Sequence, residues 1–158
     1  MKKLFGIIGN PIKHSLSPVL HNYWFKKYNI DAEYSIIEAT DRDLSEIIEK
    51  MKRGIYTGIN VTLPFKQKII SHIDRVVNDA ELTGSVNTIF LDKDKAVIGE
   101  NTDVFGLQAA YLKEITSTFN KKVLIIGAGG VAPSVILSIQ KSGIRNVSII
   151  NRTNEKCI

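Results

Sequence analysis

The sequence predicts an α/β protein in two parts, residues 1–103 and 104–158, the first with a mainly parallel sheet. Three observations predict it. Short apolar runs of strand length alternate with helical patterns along the 158 residues, the arrangement that lays helices on the faces of a sheet. Several of the predicted strands lead into clusters of small polar side chains, as in Asn60-Val61-Thr62 and Asn101-Thr102-Asp103. A glycine-rich turn, Gly127-Ala128-Gly129-Gly130-Val131-Ala132, joins a late strand to a helix.

Leu4–Gly9 reads as the first strand and Pro18–Tyr28 as the first helix, with Ser17 as its N-cap and Pro18 at its first position. Glu33–Glu38 is the second strand. Leu44, Ile47, Ile48 and Met51 recur at i, i+3, i+4 and i+7, so residues 44–51 form a helix with one apolar face, which Asp41 or Asp43 can cap. Thr57–Thr62 is a third strand, Pro64–Ile73 a short helix opened by its proline, and Val76–Leu82 another helix. Val86–Leu91 and Ala96–Gly99 form a hairpin around Asp92-Lys93-Asp94-Lys95. Thr102–Thr118 is the longest helical stretch and carries the boundary between the two parts. The strand Lys122–Ile126, the glycine turn, the helix Ala132–Ser142 ended by Gly143 and the strand Val147–Ile150 then complete one βαβ unit.

Composition narrows the class. The chain is 44% hydrophobic and 23% charged, which is ordinary for a globular protein. No apolar run approaches the ~20 residues of a membrane-spanning helix. Gly6, Gly9 and Pro11 interrupt the apolar start too early for a signal-peptide core. The single cysteine, Cys157, forms no disulfide or cysteine-based metal site within the chain, and a cytoplasmic protein is expected. The net charge of +5 is uneven: residues 1–118 hold fifteen basic and fifteen acidic side chains, whereas residues 119–158 hold six basic ones and only Glu155. Such an excess draws a phosphate-bearing ligand, or is simply a solvated basic face. The scattered placement, without interleaved aromatics, argues against nucleic acid. His14, His21 and His72 lack the spacing of a metal triad, so no metal is expected.

The glycine turn fits G-x-G-x-x-A between a strand and a helix, the context of a Rossmann-type dinucleotide site. Gly127 allows the tight turn, Gly129 lets the backbone approach a pyrophosphate, and Ala132 permits close helix packing. The pyrophosphate would lie at the helix N-terminus; the alternative is a turn kept for packing alone. The following strand ends in Asn151-Arg152-Thr153 with Lys156 beyond and no acid at its tip. An arginine there suits the 2′-phosphate of NADP better than the ribose hydroxyls of NAD.

On the substrate side, Ser15 and Ser17 can offer two hydroxyls to one ligand, although capping alone explains Ser17. Asn60 and Thr62, two residues apart on a strand, share a face. Pro64 ends that strand and Lys66 follows in the next turn, at the strand end where open α/β sheets bind ligands. Asn87-Thr88 heads another strand, and Asn101-Thr102-Asp103 can cap the long helix.

Ser15-Leu16-Ser17-Pro18, Asn60–Lys66, Gly84–Thr88, Gly99–Gly106, Gly127–Ala132 and Asn151–Thr153 occur in one order over nearly the whole chain. In that order they resemble the shikimate dehydrogenase family. The resemblance implies NADP-dependent, reversible reduction of 3-dehydroshikimate to shikimate in aromatic amino-acid biosynthesis, with Lys66 and Asp103 as the catalytic pair. It implies that Ser15, Ser17, Asn60, Thr62, Lys66, Asn87 and Asp103 hold the substrate. Gly127, Ala128, Gly129, Gly130, Val131, Ala132, Asn151, Arg152, Thr153 and Lys156 then match the NADP side. Two roles stay open to Lys66, proton carrier or electrostatic and orienting group. A quinate/shikimate dehydrogenase and a non-catalytic ligand-binding relative are the alternatives, and a homodimer is the assembly to test. The family's chains continue past this point to complete the nucleotide sheet, which has about six strands in doubly wound folds, so the chain is expected to be an N-terminal fragment.

Overall fold

The computed structural model describes residues 2–113 and 121–153. It contains two sheets. The first joins β1 (Lys3–Gly9), β2 (Ala32–Glu38), β3 (Gly58–Val61), β4 (Arg75–Val76), β5 (Thr88–Leu91) and β6 (Val97–Glu100) in the order β2-β1-β3-β5-β6-β4. Three of the five pairings, β1 with β2, β1 with β3 and β4 with β6, are parallel, and the other two are antiparallel. The second sheet pairs β7 (Lys122–Ile126) with β8 (Asn146–Ile150) in parallel, Lys122 opposite Asn146. The α/β class and the mainly parallel first sheet are therefore as the sequence pattern predicts.

Helix α2 (Leu44–Lys52) shows how pattern becomes packing. Leu44, Ile47, Ile48 and Met51 are all buried and lie against Ile8, Ile59, Val61, Phe65, Ile69 and Ile89 in the main core. At roughly 1.5–3 kcal/mol per buried side chain, this face holds the helix in place. Alternation along β3 does the rest: Ile59 and Val61 enter that core, so Asn60 points to the opposite face. There a smaller cluster of Ile7, Ile12 and Tyr34, flanked by Phe5 and Phe25, packs beside α1 (Ser17–Lys27). Among the described residues no helix is long and apolar enough to cross a membrane.

Five local expectations change. Ser17 is not the N-cap of α1: Leu16 holds that position, and Ser15 Oγ accepts the backbone N–H of Ser17 at 3.3 Å, so Ser15 does the capping work. Asp43 does not cap α2 with its side chain. Its carboxylate accepts the N–H and hydroxyl of Thr40, both at 2.7 Å, and closes the 3-10 turn Asp41–Asp43. The segment 64–73 is a turn followed by a 3-10 helix, Lys68–His72. The segment 76–82 splits into strand β4 and the short helix α3 (Asp79–Thr83), because Arg75 and Val76 pair with Ile98 and Gly99 of β6. The long helix begins at Asp103 as α4 (Asp103–Leu107) and continues as a π-helical turn, Gln108–Leu112; residues 114–118 of that expectation lie outside the described residues.

Helix α5 (Ala132–Lys141) carries β7 over to β8 and also packs on the first part. Ser138 Oγ donates to the carbonyl of Val104 at 2.9 Å, Ser85 Oγ donates to the carbonyl of Gly130 at 3.3 Å, and Lys141 pairs with Asp79 of α3. The glycine turn is thereby seated beside the polar ends of β3 and β5.

Candidate functional site

Lys66 and Asp103 are 37 residues apart in sequence and meet in space: Lys66 Nζ donates to Asp103 Oδ2 at 2.6 Å. Two features of the fold bring them together. Pro64, whose peptide bond with Leu63 is cis, ends the run after β3. Buried Phe65 then anchors the turn in the core, leaving Lys66 at the rim. Asp103 opens α4, where an acid favours the helix N-terminus. The pair is largely shielded, with side-chain exposures of 13% for Lys66 and 27% for Asp103.

Asn87 holds the other carboxylate oxygen, its Nδ2 donating to Asp103 Oδ1 at 2.7 Å and to Thr102 Oγ1 at 3.0 Å. Its Oδ1 accepts the backbone N–H of Thr102 at 3.0 Å. Asn87 precedes β5 and Asp103 follows β6, so the antiparallel hairpin delivers both from its open end. Thr88 Oγ1 donates to Asn87 Oδ1 and accepts from Asn60 Nδ2 at 3.1 Å, which joins Asn60 to the same network. Of the sequence-predicted substrate residues, Asn60, Lys66, Asn87 and Asp103 are thus connected by hydrogen bonds. Ser15 and Ser17 lie together at the start of α1. Thr62 sits just beyond β3, its methyl beside Gly9.

Two residues that the sequence reading named only as members of motifs, Asn101 also as a possible cap of the long helix, are built into the site by the structure. Thr88 is the link between Asn60 and Asn87. Asn101, 4% exposed, accepts the backbone N–H of Asp103 with Oδ1 at 3.0 Å and donates from Nδ2 to Ser134 Oγ on α5 at 2.8 Å. It also donates to the carbonyl of Ser85 at 2.8 Å and to Thr83 Oγ1 at 3.1 Å. The signal that could have found them is a polar side chain at a position whose neighbours in the strand are buried.

The glycine turn has the features a dinucleotide needs. Gly127 has φ +105°, a conformation that favours glycine, and its N–H reaches the carbonyl of Ile150 at 2.8 Å. A Cβ on Gly129 would meet nothing within 4 Å, so the backbone there is open to a close ligand. No side chain caps the start of α5; the N–H of Ala132 bonds the carbonyl of Gly129 at 2.9 Å and Pro133 has no N–H, so the N–H groups of Gly129, Gly130 and Val131 are the ones left to an anion. An open cleft of about 640 Å³ runs past Ala128, Gly129 and Gly130 to Gln67, the neighbour of Lys66. A smaller one of about 280 Å³ lies at the strand tips, lined by Ile126, Gly127, Ile150, Asn151 and Arg152. Asn151 Oδ1 accepts the N–H of Ala128 at 3.1 Å, tying the tip of β8 to the turn, and its Nδ2 bonds the carbonyl of Thr153. Val131 is half-exposed at the mouth of the turn, whereas Ala132 is buried under it. Arg152 is exposed, and Lys156 lies outside the described residues.

This geometry defines a class: an α/β protein of two sheets with a dinucleotide-type turn beside a shielded lysine–carboxylate pair. Residues 7–89 match the sequence family described as shikimate dehydrogenase substrate binding domain, and residues 110–158 match shikimate / quinate 5-dehydrogenase. The chain belongs to the shikimate dehydrogenase family. It is 44% identical over 158 residues to shikimate dehydrogenase (NADP(+)) of Pelagibacter ubique, covering all of this chain and 59% of that protein. Among solved structures, it is similar to the shikimate dehydrogenase of Aquifex aeolicus, with a TM-score of 0.91 and 37% identity over 99% of this chain and 58% of the other. It is similar also to a shikimate dehydrogenase crystallised with NADP+, with a TM-score of 0.89 and 38% identity over 98% of this chain and 53% of the other. The chain thus spans less than two thirds of the length of each.

Proposed function

We propose that this chain supplies the substrate-binding part, residues 1–103, and the start of the cofactor part, residues 104–158, of an NADP-dependent shikimate dehydrogenase, which interconverts 3-dehydroshikimate and shikimate. The observation that carries this reading is the 2.6 Å contact between Lys66 Nζ and Asp103 Oδ2, with Asn87 on the second carboxylate oxygen, beside the glycine turn.

NADPH, when bound, supplies the hydride. The turn from Gly127 to Ala132 would hold its pyrophosphate, through the N–H groups of Gly129, Gly130 and Val131, with Asn151, Arg152 and Thr153 toward the adenosine side and Arg152 suited to the 2′-phosphate; Lys156 is the further basic residue the family pattern adds. The remaining work falls to the protein's own side chains. Lys66 donates a proton to the substrate oxygen during reduction and takes it back during oxidation, and its charge steadies that oxygen as negative charge develops. Asp103 fixes the lysine and accepts from a substrate hydroxyl. Ser15, Ser17, Asn60, Thr62 and Asn87 orient the substrate's hydroxyls and carboxylate.

The test is NADPH formation, followed by absorbance, with shikimate and NADP+. One arm uses the 158-residue chain and the other a chimera in which it replaces the matching 59% of the Pelagibacter ubique protein. Turnover in either supports the reading, and silence in both overturns it. In the active form, Lys66→Ala and Asp103→Ala should each lower kcat by roughly 10²–10⁴-fold with a smaller change in KM; near-normal turnover would sink the assignment of the pair. The match of residues 110–158 to shikimate / quinate 5-dehydrogenase favours one second reading, a quinate/shikimate enzyme, and relative rates on quinate and shikimate separate the two. A cytoplasmic location is proposed on the single cysteine, which suits a reducing compartment. A homodimer is proposed on the unpaired outer edge of β2 and the exposed Val19, Tyr23 and Trp24 of the neighbouring α1; a monomer mass in sedimentation overturns it.

A further inference from the structure

The hydrogen bonds that reach Asp103 do not start at Asn60. They start at Tyr34, in the middle of β2 and only 4% exposed. Its hydroxyl donates to Asn60 Oδ1 at 2.6 Å. That contact forces the other end of the amide, Nδ2, toward Thr88 Oγ1 at 3.1 Å. The Thr88 hydroxyl is then committed to donating to Asn87 Oδ1 at 3.0 Å, and Asn87 Nδ2 to donating to Asp103 Oδ1 at 2.7 Å. The second N–H of each amide runs beside the series, Asn60 Nδ2 to the carbonyl of Asn87 at 3.4 Å and Asn87 Nδ2 to Thr102 Oγ1 at 3.0 Å, while Asn87 Oδ1 also accepts the N–H of Thr102 at 3.0 Å. The series ends on the carboxylate that receives Lys66.

The surroundings of Tyr34 fix it tightly. Asn22 of α1 clamps its backbone from both sides, donating to the carbonyl at 2.8 Å and accepting the N–H at 2.9 Å. The His21 ring stacks on the phenol ring with centroids 4.3 Å apart and 7° between planes. Burial pushes the phenol up to about 12, with an opposing hydrogen bond from Ser17, so it stays a donor throughout the neutral range. Phenylalanine would fill the same space; only the hydroxyl speaks to Asn60, and it also meets Ser17.

We propose that Tyr34 is a positioning residue of the catalytic site: its phenol sets the orientation of the Asn60 amide and, through Thr88 and Asn87, the placement of Asp103. The proposal rests on the dehydrogenase reading for its effect on turnover, but not for the network itself.

Two measurements test it. In the active chimera, Tyr34→Phe should lower kcat/KM for shikimate roughly tenfold to hundredfold and leave KM for NADP+ unchanged, the loss expected when one buried polar group is left unpaired. Because Tyr34 acts through Asn60, the same change in an Asn60→Ala background should cost less than about twofold. Full additivity would mean that Tyr34 acts independently and overturns the proposal. In the 158-residue chain, Tyr34→Phe should shift the side-chain amide resonances of Asn60 and Asn87 in nitrogen-15 NMR spectra and leave that of Asn101 in place. An unmoved Asn87 amide overturns the proposal. If the 158-residue chain and the unmutated chimera both lack turnover, the dehydrogenase reading fails, and the amide shifts alone decide the role of Tyr34.

Discussion

Asn101→Ala should destabilise the protein more than any other single polar truncation near the site, and the cost follows from its partners. Four contacts disappear with the side chain. The single proton of the Thr83 hydroxyl, given to the carbonyl of Asp79 at 2.7 Å, can turn to the carbonyl of Ser85 at 3.3 Å once Asn101 is gone, so that carbonyl regains a donor. Ser134 Oγ, in a residue 1% exposed, loses the donor it has in the structure, and the backbone N–H of Asp103 loses its acceptor. Two orphaned groups at about 1–3 kcal/mol each give roughly 2–6 kcal/mol. Asp103 is partly open to water, which lowers the expectation to about 2–4 kcal/mol. Asn101→Asp retains an acceptor for Asp103 but sets a carboxylate against the Ser85 carbonyl, so it should fare no better. The assay is urea unfolding followed by circular dichroism. A loss below about 0.5 kcal/mol for Asn101→Ala, or a wild-type midpoint for Asn101→Asp, would refute the view that this amide joins the two parts.

Phe65→Ala removes a side chain only 1% exposed in the main core and should cost about 3–5 kcal/mol, measured by the same unfolding curve; a loss under about 1 kcal/mol contradicts the packing described. Gly127→Ala forces a side chain into φ +105° with no steric obstacle nearby. It should cost about 1–3 kcal/mol through the backbone alone and weaken NADP+ binding by calorimetry, and unchanged stability and affinity would argue against the strained turn. Burial lowers the pKa of His21 from its ordinary 6.5, so the unfolded chain binds more protons below that value. The stability this residue contributes is full above pH 6.5 and declines as pH falls toward the depressed folded value. Wild type should therefore lose more melting temperature than His21→Phe between about pH 8 and pH 5; parallel curves would disprove the linkage.

Much of the fold was legible because the burial pattern repeats locally. The four apolar positions of α2, the hairpin and the glycine turn each declare themselves within a dozen residues. The misread segments are those in which a distant partner decides. Arg75-Val76 became a strand because β6 lies open beside it, which overrides a helical pattern too short to be decisive. Ser17 does not cap α1 because the helix begins at Ser17 itself, and it is the Ser15 hydroxyl that meets its N–H. In the site, Lys66, Asn87 and Asp103 were legible as motif members. Tyr34 was not, and Thr88 and Asn101 were motif members without a site role, because the meaning of all three lies in partners up to 33 residues away and a tyrosine in a strand has the same periodicity whatever its hydroxyl touches.

The β5–β6 hairpin has a practical consequence for protein engineering. Its open end delivers Asn87 and Asp103, while its tip is closed by Asp92, which accepts the N–H groups of Asp94 and Ala96. Strands of four residues hold that tip ~13 Å from the site at about 3.3 Å per residue. Because the closure cost of a loop grows only slowly with its length, the segment from Lys93 to Lys95 is a port into which a fluorescent reporter or an affinity peptide can be spliced with the network of Asn87 and Asp103 at the far end left in place.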